Sequence, residues 1–227
     1  MKRQVTLEEI SDGKLYDCND MVKADCNGCK GCSACCRGMG NSILLDPLDV
    51  YRLTKELGQD FEALLRDRVE LNAVDGIILP NLKMTGEEER CFFLNEEGRC
   101  SIHAARPGIC RIFPLGRHYE NHSFRYFLQV HECRQEPKTK VKVKKWIDTP
   151  QTAQNQRYII EWHYFILGLQ EYAGNTEDAG LLKTLNLYLL RQFFVTPYDT
   201  NRDFYDQFEK RMEEARKVLN MDTGSQG

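Results

Sequence analysis

Five of the ten cysteines in this 227-residue chain lie between positions 26 and 36, at Cys26, Cys29, Cys32, Cys35 and Cys36. No other feature constrains the fold so tightly. Cysteines at two-residue gaps, interleaved with Gly28, Gly31 and Gly38, suit a loop that curls around a compact ligand, because glycine lets the backbone wrap closely. Cys26, Cys29, Cys32 and Cys36 read C-x2-C-x2-C-x3-C. Bacterial ferredoxins hold iron–sulfur clusters with such a run, although there the fourth cysteine serves a second cluster and is followed by proline. Here Arg37 follows. Zinc also uses C-x2-C knuckles, usually two of them separated by a longer insert. The vicinal pair Cys35 and Cys36 is unusual for one tetrahedral zinc and suggests that the two thiols serve different centres or faces.

Cysteine use depends on compartment. The first ten residues contain no apolar run of the signal-peptide kind, and the longest apolar stretch, over residues 158–169, is interrupted by Glu161 and His163. It is too short to span a bilayer. A cytoplasmic location is expected, and there clustered cysteines are metal ligands or redox groups more often than disulfides. Hydrophobic residues at 41% and charged residues at 29% are ordinary for a globular chain. A net charge of −3 supplies no basic field for nucleic acid or an anionic membrane, so a protein or redox partner is expected instead. Four more cysteines lie downstream. Cys91 and Cys100 occupy the two limbs of a predicted hairpin, Cys110 follows Arg106-Pro107-Gly108-Ile109, and Cys133 follows a predicted strand.

The segment Cys29-Lys30-Gly31-Cys32-Ser33-Ala34-Cys35-Cys36 resembles the CxxCxxCC signature of the YkgJ-like cysteine-cluster proteins, described as zinc- or iron-chelating domains. Cys100, Arg106-Pro107, Cys110-Arg111 and Phe113-Pro114 match the second block of that family. The resemblance covers residues 26–135. It implies an iron–sulfur cluster, four-iron in kind, or alternatively zinc. By position it implies metal ligation by Cys29, Cys32, Cys35, Cys36, Cys91, Cys100, Cys110 and Cys133. Cys18 and Cys26 fall outside the signature. The family includes flagellin lysine methylases, so it admits an enzyme as well as an electron carrier or a structural zinc module. A four-thiolate cluster is anionic, and Arg106 and Arg111 are the expected cofactor-facing cations, with Arg37 a weaker candidate.

The expected fold class is α+β: a cysteine-rich metal-binding half of short strands and helices over 26–148, then an amphipathic helical subdomain over 149–221. A polar lead-in over 1–25 and a tail over 222–227 flank them. Asp46 as N-cap, Pro47 in the first turn and Gly58 beyond the end predict a helix. Phe61 to Val69 predicts a second. Residues 41–45, 76–84 and 123–130 read as extended, and residues 104–112 as a helical turn. Apolar stripes predict three C-terminal helices, the last opened by a capping box of Thr200 with Asp203. The alternating lysines of 138–145 predict a strand with a protected edge. Among the histidines, His131 is the nearest spare ligand, two residues before Cys133, and His163 is expected to pack within a helix. No phosphate loop, dinucleotide fingerprint or paired acid/base carboxylates stand out, and no catalytic residue is singled out.

Overall fold

The computed structural model describes residues 6–26 and 32–221. After a single helical turn, α1 (Leu7–Ile10), the chain enters strand β1 (Met21–Asp25), so the polar lead-in carries structure that its composition does not advertise. β1 pairs antiparallel with a strand more than a hundred residues later, β8 (Thr139–Lys142). That partner supplies what the lead-in lacks locally, since backbone pairing depends little on side-chain polarity.

Helix α2 (Pro47–Leu57) forms where its caps predict. The Asp46 carboxylate accepts from the Asp49 amide at 2.8 Å, the Asp49 carboxylate accepts from the Asp46 amide at 3.3 Å, and Gly58 closes the helix at φ 61°. α3 (Phe61–Asp67) follows. It stops short of Val69, which opens the hairpin β2 (Val69–Val74) and β3 (Ile77–Leu82). Residues 41–45 form no full strand. Only Leu44 bridges to Asn81. Strands β4 (Met84–Thr85) and β5 (Arg90–Cys91) make a second small ladder. The predicted 91–102 hairpin survives as one bridge, Leu94 with Cys100, around a tight loop, because Cys91 already pairs with Met84. Helix α4 (Gly108–Ile112) leads into the hairpin β6 (Leu115–Glu120) and β7 (Ser123–Leu128). After β8 come α5 (Val143–Ile147), the long α6 (Thr152–Asn175), and α7 (Ala179–Leu190), which ends in a π-turn. The last helix is α8 (Phe204–Val218). Its N-cap is Asp203, whose carboxylate accepts from the amides of Tyr205 and Asp206, so the Thr200 box is not used.

Among the described residues the four sheets are each two-stranded and antiparallel, which confirms an α+β class. One apolar cluster runs through both halves, joining Leu53, Leu64, Ile77 and Phe93 to Tyr158, Leu189, Phe193 and Phe208. A smaller one gathers Val22, Leu115, Tyr126 and Val143 beneath the β1–β8 pair. Two-stranded sheets are marginal alone, so each depends on the helices laid against it. The β2–β3 turn shows how. Asp75 and Gly76 both take positive φ, 49° and 84°, as a two-residue turn of the primed kind requires. Asn186 of α7 grips this turn: its amide donates to the Gly76 carbonyl at 3.1 Å, and its oxygen accepts from the Ile78 amide at 2.6 Å. Gln170 of α6 donates to the Val74 carbonyl at 3.1 Å.

A Cβ at Gly76 would stand 2.8 Å from the Ala173 methyl, at a φ that L residues avoid. Gly76→Ala should therefore lower stability by about 1–3 kcal/mol. Adding Ala173→Gly should recover the steric part and leave the φ strain. Urea melts of the two variants check this, and full recovery in the double variant would show that φ strain contributes nothing.

Candidate metal centre

The cysteine loop is anchored by its backbone before its thiols are considered. Residues Ala34–Cys36 form a 3-10 turn in which the Cys36 amide donates to the Ser33 carbonyl at 2.9 Å. Arg37 bridges to Arg90, and the Gly38 amide donates to the Glu89 carbonyl at 3.1 Å. Cys35 and Cys36 are thereby fixed against the strand that carries Cys91. Cys100 is held by the turn after Leu94, where the Asn95 side chain accepts from the Arg99 amide at 2.8 Å. Cys110 rides on α4, whose first residue, Gly108, donates its amide to the Asp49 carboxylate at 2.7 Å. Trp146 of α5 closes the far side, donating to the carbonyls of Ile112 and Phe113 at 3.3 and 3.1 Å.

These segments enclose a cavity of about 320 Å³ with Cys32, Cys35, Cys36, Cys91, Cys100 and Cys110 on its wall. Apolar groups such as Ile43, Leu82, Phe93 and Ile102 form much of the rest. Burial raises the thiol pKa values of Cys91, Cys100 and Cys110 above the ordinary range, and neighbouring thiols raise them further. Cys35 is raised chiefly by its bond with the Cys36 thiol and next by burial. Several thiolates therefore cannot share this apolar space without a positive centre among them. A thiophilic metal supplies that charge and displaces the thiol protons as it binds.

The cations divide their tasks. Arg106 lines the cavity, acts favourably on Cys35 and Cys100, and has its Nε buried with no hydrogen-bond partner. A buried donor without an acceptor costs about 1–3 kcal/mol, and a thiolate or a cluster sulfide on the metal side of the wall is the acceptor that fits it. Arg106 also contacts the His103 ring. Arg111 is bonded to the backbone. It is 8% exposed, and its guanidinium donates to the carbonyls of Arg106 and Asp148 at 3.1 and 3.2 Å and to that of Ala104. It holds the Arg106–Cys110 turn in shape. Arg37 pairs with Glu88 at the surface.

Cys133 lies apart from the cavity wall. The thiols that act on it most strongly are Cys26 and Cys32. Cys29 lies outside the described residues. His131 is exposed at a positive φ of 68°. His163 packs as expected: its ring stacks on Tyr119 with centroids 3.5 Å apart, and burial lowers its pKa to about 4. Among the described residues no cysteine is in a disulfide. Nor do three Cys, His, Asp or Glu side chains among them converge on a single ion position as they stand. No described helix is long and apolar enough to cross a membrane.

Sequence analysis gave Asp49 no part in the site. Asp49 is only 2% exposed. Its position three residues after an N-cap aspartate was the available signal, since a capping-box carboxylate folds back toward the helix start.

An α+β domain with thiols from four segments around one cavity defines a cysteine-cluster metal-binding protein. A family model described as "CxxCxxCC: Putative zinc- or iron-chelating domain" matches residues 28–149, and the chain belongs to that family. No curated protein and no solved structure matches it.

Asp49 offers a test of how the site is braced. Burial, and secondarily the Asp46 carboxylate, raise its pKa to about 8. In the unfolded chain an aspartate ionises near pH 3.9. Between about pH 4 and pH 8 the unfolded chain has lost this proton while the fold retains it, so the contribution to stability falls as pH rises through that window and levels off above it. Asp49→Asn should flatten the pH dependence of urea unfolding between about pH 5 and pH 8. An unchanged slope would mean that Asp49 is ionised in the fold.

Proposed function

We propose that the protein carries an iron–sulfur cluster, four-iron in kind, held by Cys35, Cys91, Cys100 and Cys110, and that it works in electron transfer or redox chemistry with a protein partner. The observation that carries this reading is the ring of mutually interacting thiols around the cavity, with the orphaned Nε of Arg106 on the same wall. Zinc bonds thiolates at about 2.3 Å, so its four tetrahedral sulfurs lie about 3.8 Å apart. Among the described residues no three ligand groups converge on one ion position, which supports a larger core over a single zinc ion. A cluster also brings sulfides, which are acceptors for Arg106.

When bound, such a cluster supplies a one-electron store. The apolar wall excludes water from it and favours whichever oxidation state carries less net charge. Arg106 counters that preference by stabilising the more negative, reduced state. Ile109, beside Cys110 and 40% exposed, and the exposed His103 form the rim where a partner gains closest access.

The test is the iron, zinc and acid-labile sulfide content of protein purified without oxygen, with its visible spectrum. Iron matched by sulfide supports the reading. Stoichiometric zinc without sulfide overturns it in favour of a structural zinc module. Cys91→Ser with Cys110→Ser should strip the iron and sulfide. Arg106→Gln should keep both and lower the midpoint potential by on the order of 50 mV, the one-electron equivalent of about 1 kcal/mol of charge interaction. A potentiometric titration of the two proteins checks the sign.

A further inference from the structure

The lysine run of residues 138–145 has no part in the cavity wall, and the fold gives it a shape. β1 and β8 pair Met21 with Lys142, Val22 with Val141 and Lys23 with Lys140. Val22 and Ala24 are buried, and Val141 packs against the same smaller apolar cluster as Val22. Side chains alternate across a strand, so Met21, Lys23, Lys140 and Lys142 project from the opposite face, where all four are exposed. α5 begins at the next residue and adds Lys144 and Lys145, both exposed.

This face works against the sheet that carries it. Lys23 stands directly opposite Lys140, with Lys142 on the diagonal. Like charges opposed across a ladder destabilise it, and a two-stranded sheet is marginal to begin with. Edge protection asks for a charged residue on an edge strand. It does not ask for a second lysine across the pair. Among the described residues none of Lys23, Lys140, Lys142, Lys144 and Lys145 is in an ion pair. The neighbouring carboxylates are turned to other partners: Asp20 accepts from the Asp17 amide at 2.7 Å, Asp25 from the Thr139 hydroxyl at 3.4 Å, and Glu136 from the Lys138 ammonium at 3.1 Å. Charges that cost the fold stability and gather on its surface point to something that binds them.

One short helix connects this face to the cavity. α5 packs against α4, and its Trp146, next to Lys145, lies on the cavity wall and donates to the Ile112 carbonyl of α4. Charge complementarity selects an acidic partner. Met21, 48% exposed among the lysines, supplies an apolar centre with a charged rim, which is the anatomy of a protein interface. Nucleic acid fits less well, because neither strand carries an aromatic side chain on which a base could stack. We propose that the outer face of β1 and β8, with Lys144 and Lys145 at its edge, docks a protein that presents an acidic surface. That this partner exchanges electrons with the cavity rests on the redox reading above; the docking itself does not.

The test uses two small acidic electron carriers, a plant-type ferredoxin and a flavodoxin, each fluorescently labelled, and reads their anisotropy with the anaerobically purified holoprotein. At least one should bind, and its dissociation constant should rise about tenfold between about 0.05 M and about 0.3 M salt. Lys23→Gln with Lys140→Gln and Lys142→Gln should weaken binding about tenfold at low salt. Removing as much charge from exposed sites on α7 and α8, by Lys183→Gln with Lys210→Gln and Lys217→Gln, should leave it within about twofold. Lys140→Glu, which sets opposite charges across the pair with Lys23, should raise the melting temperature while weakening binding. Absence of binding to both carriers overturns the proposal. So does wild-type binding by the folded Lys140→Glu protein, or equal weakening in the α7 and α8 variant, which would mean that net charge alone is read. A single-stranded oligonucleotide or a phosphatidylserine vesicle that binds more tightly than either carrier, and is lost in the Lys23/Lys140/Lys142 variant, overturns it in favour of a polyanion. Carrier binding that persists while the reduced protein passes on no electron supports the docking face and counts against the redox reading.

Discussion

The hydrogen bond from the Gly108 amide to the Asp49 carboxylate ties the metal-binding wall to the hydrophobic core. Asp49 lies in the first turn of a helix that also buries Pro47, Leu48, Val50 and Leu53, and Leu48 and Leu53 belong to the main apolar cluster. Through this one carboxylate the turn that carries Cys110 is registered against the part of the molecule least able to move. The Leu48 amide donates to the Tyr158 hydroxyl at 3.0 Å, so the same helix start is also braced by α6. A buried carboxylate is costly unless it is neutral or well bonded. Its presence here fits a role in positioning rather than in general stability.

That registration matters because the cavity wall works against itself. Thiols from four short segments face one another in apolar surroundings, and each raises its neighbours' resistance to ionisation. A fold does not assemble such a group for its own stability. Arg111 resists splaying of the turn by placing its guanidinium on three carbonyls, while Arg106 on the cavity wall is left with a buried donor that has no acceptor. The C-terminal helices contribute at a distance. Asn186 and Gln170 hold the β2–β3 hairpin, whose Leu82 reaches the cavity wall.

Much of this was legible residue by residue. The caps of α2 placed that helix within its observed limits, and the apolar stripes of α6, α7 and α8 marked the residues that are buried. Local rules succeed there because a helix is stabilised within its own stretch of chain. The strand in the lead-in was not legible, because β1 acquires its partner at residue 139 and carries little apolar pattern of its own. The Asp75-Gly76 turn was a local signal of a hairpin that a reading of residues 76–84 as merely extended passed over.

The sequence by itself determined that this is a cysteine-cluster protein of α+β class with a helical C-terminal third, because spacing, caps and periodicity are properties of neighbouring residues. Only the tertiary structure decided which thiols share a space. Cys35 bonds with Cys36, its neighbour in sequence, and shares the cavity wall with Cys91, Cys100 and Cys110 from distant segments, while Cys133 lies apart from that wall. It also decided that Arg106 lines the cavity while the Arg111 guanidinium bonds three backbone carbonyls. The physical reason is that side-chain direction and long-range pairing depend on packing between segments far apart in the chain, which no local spacing encodes.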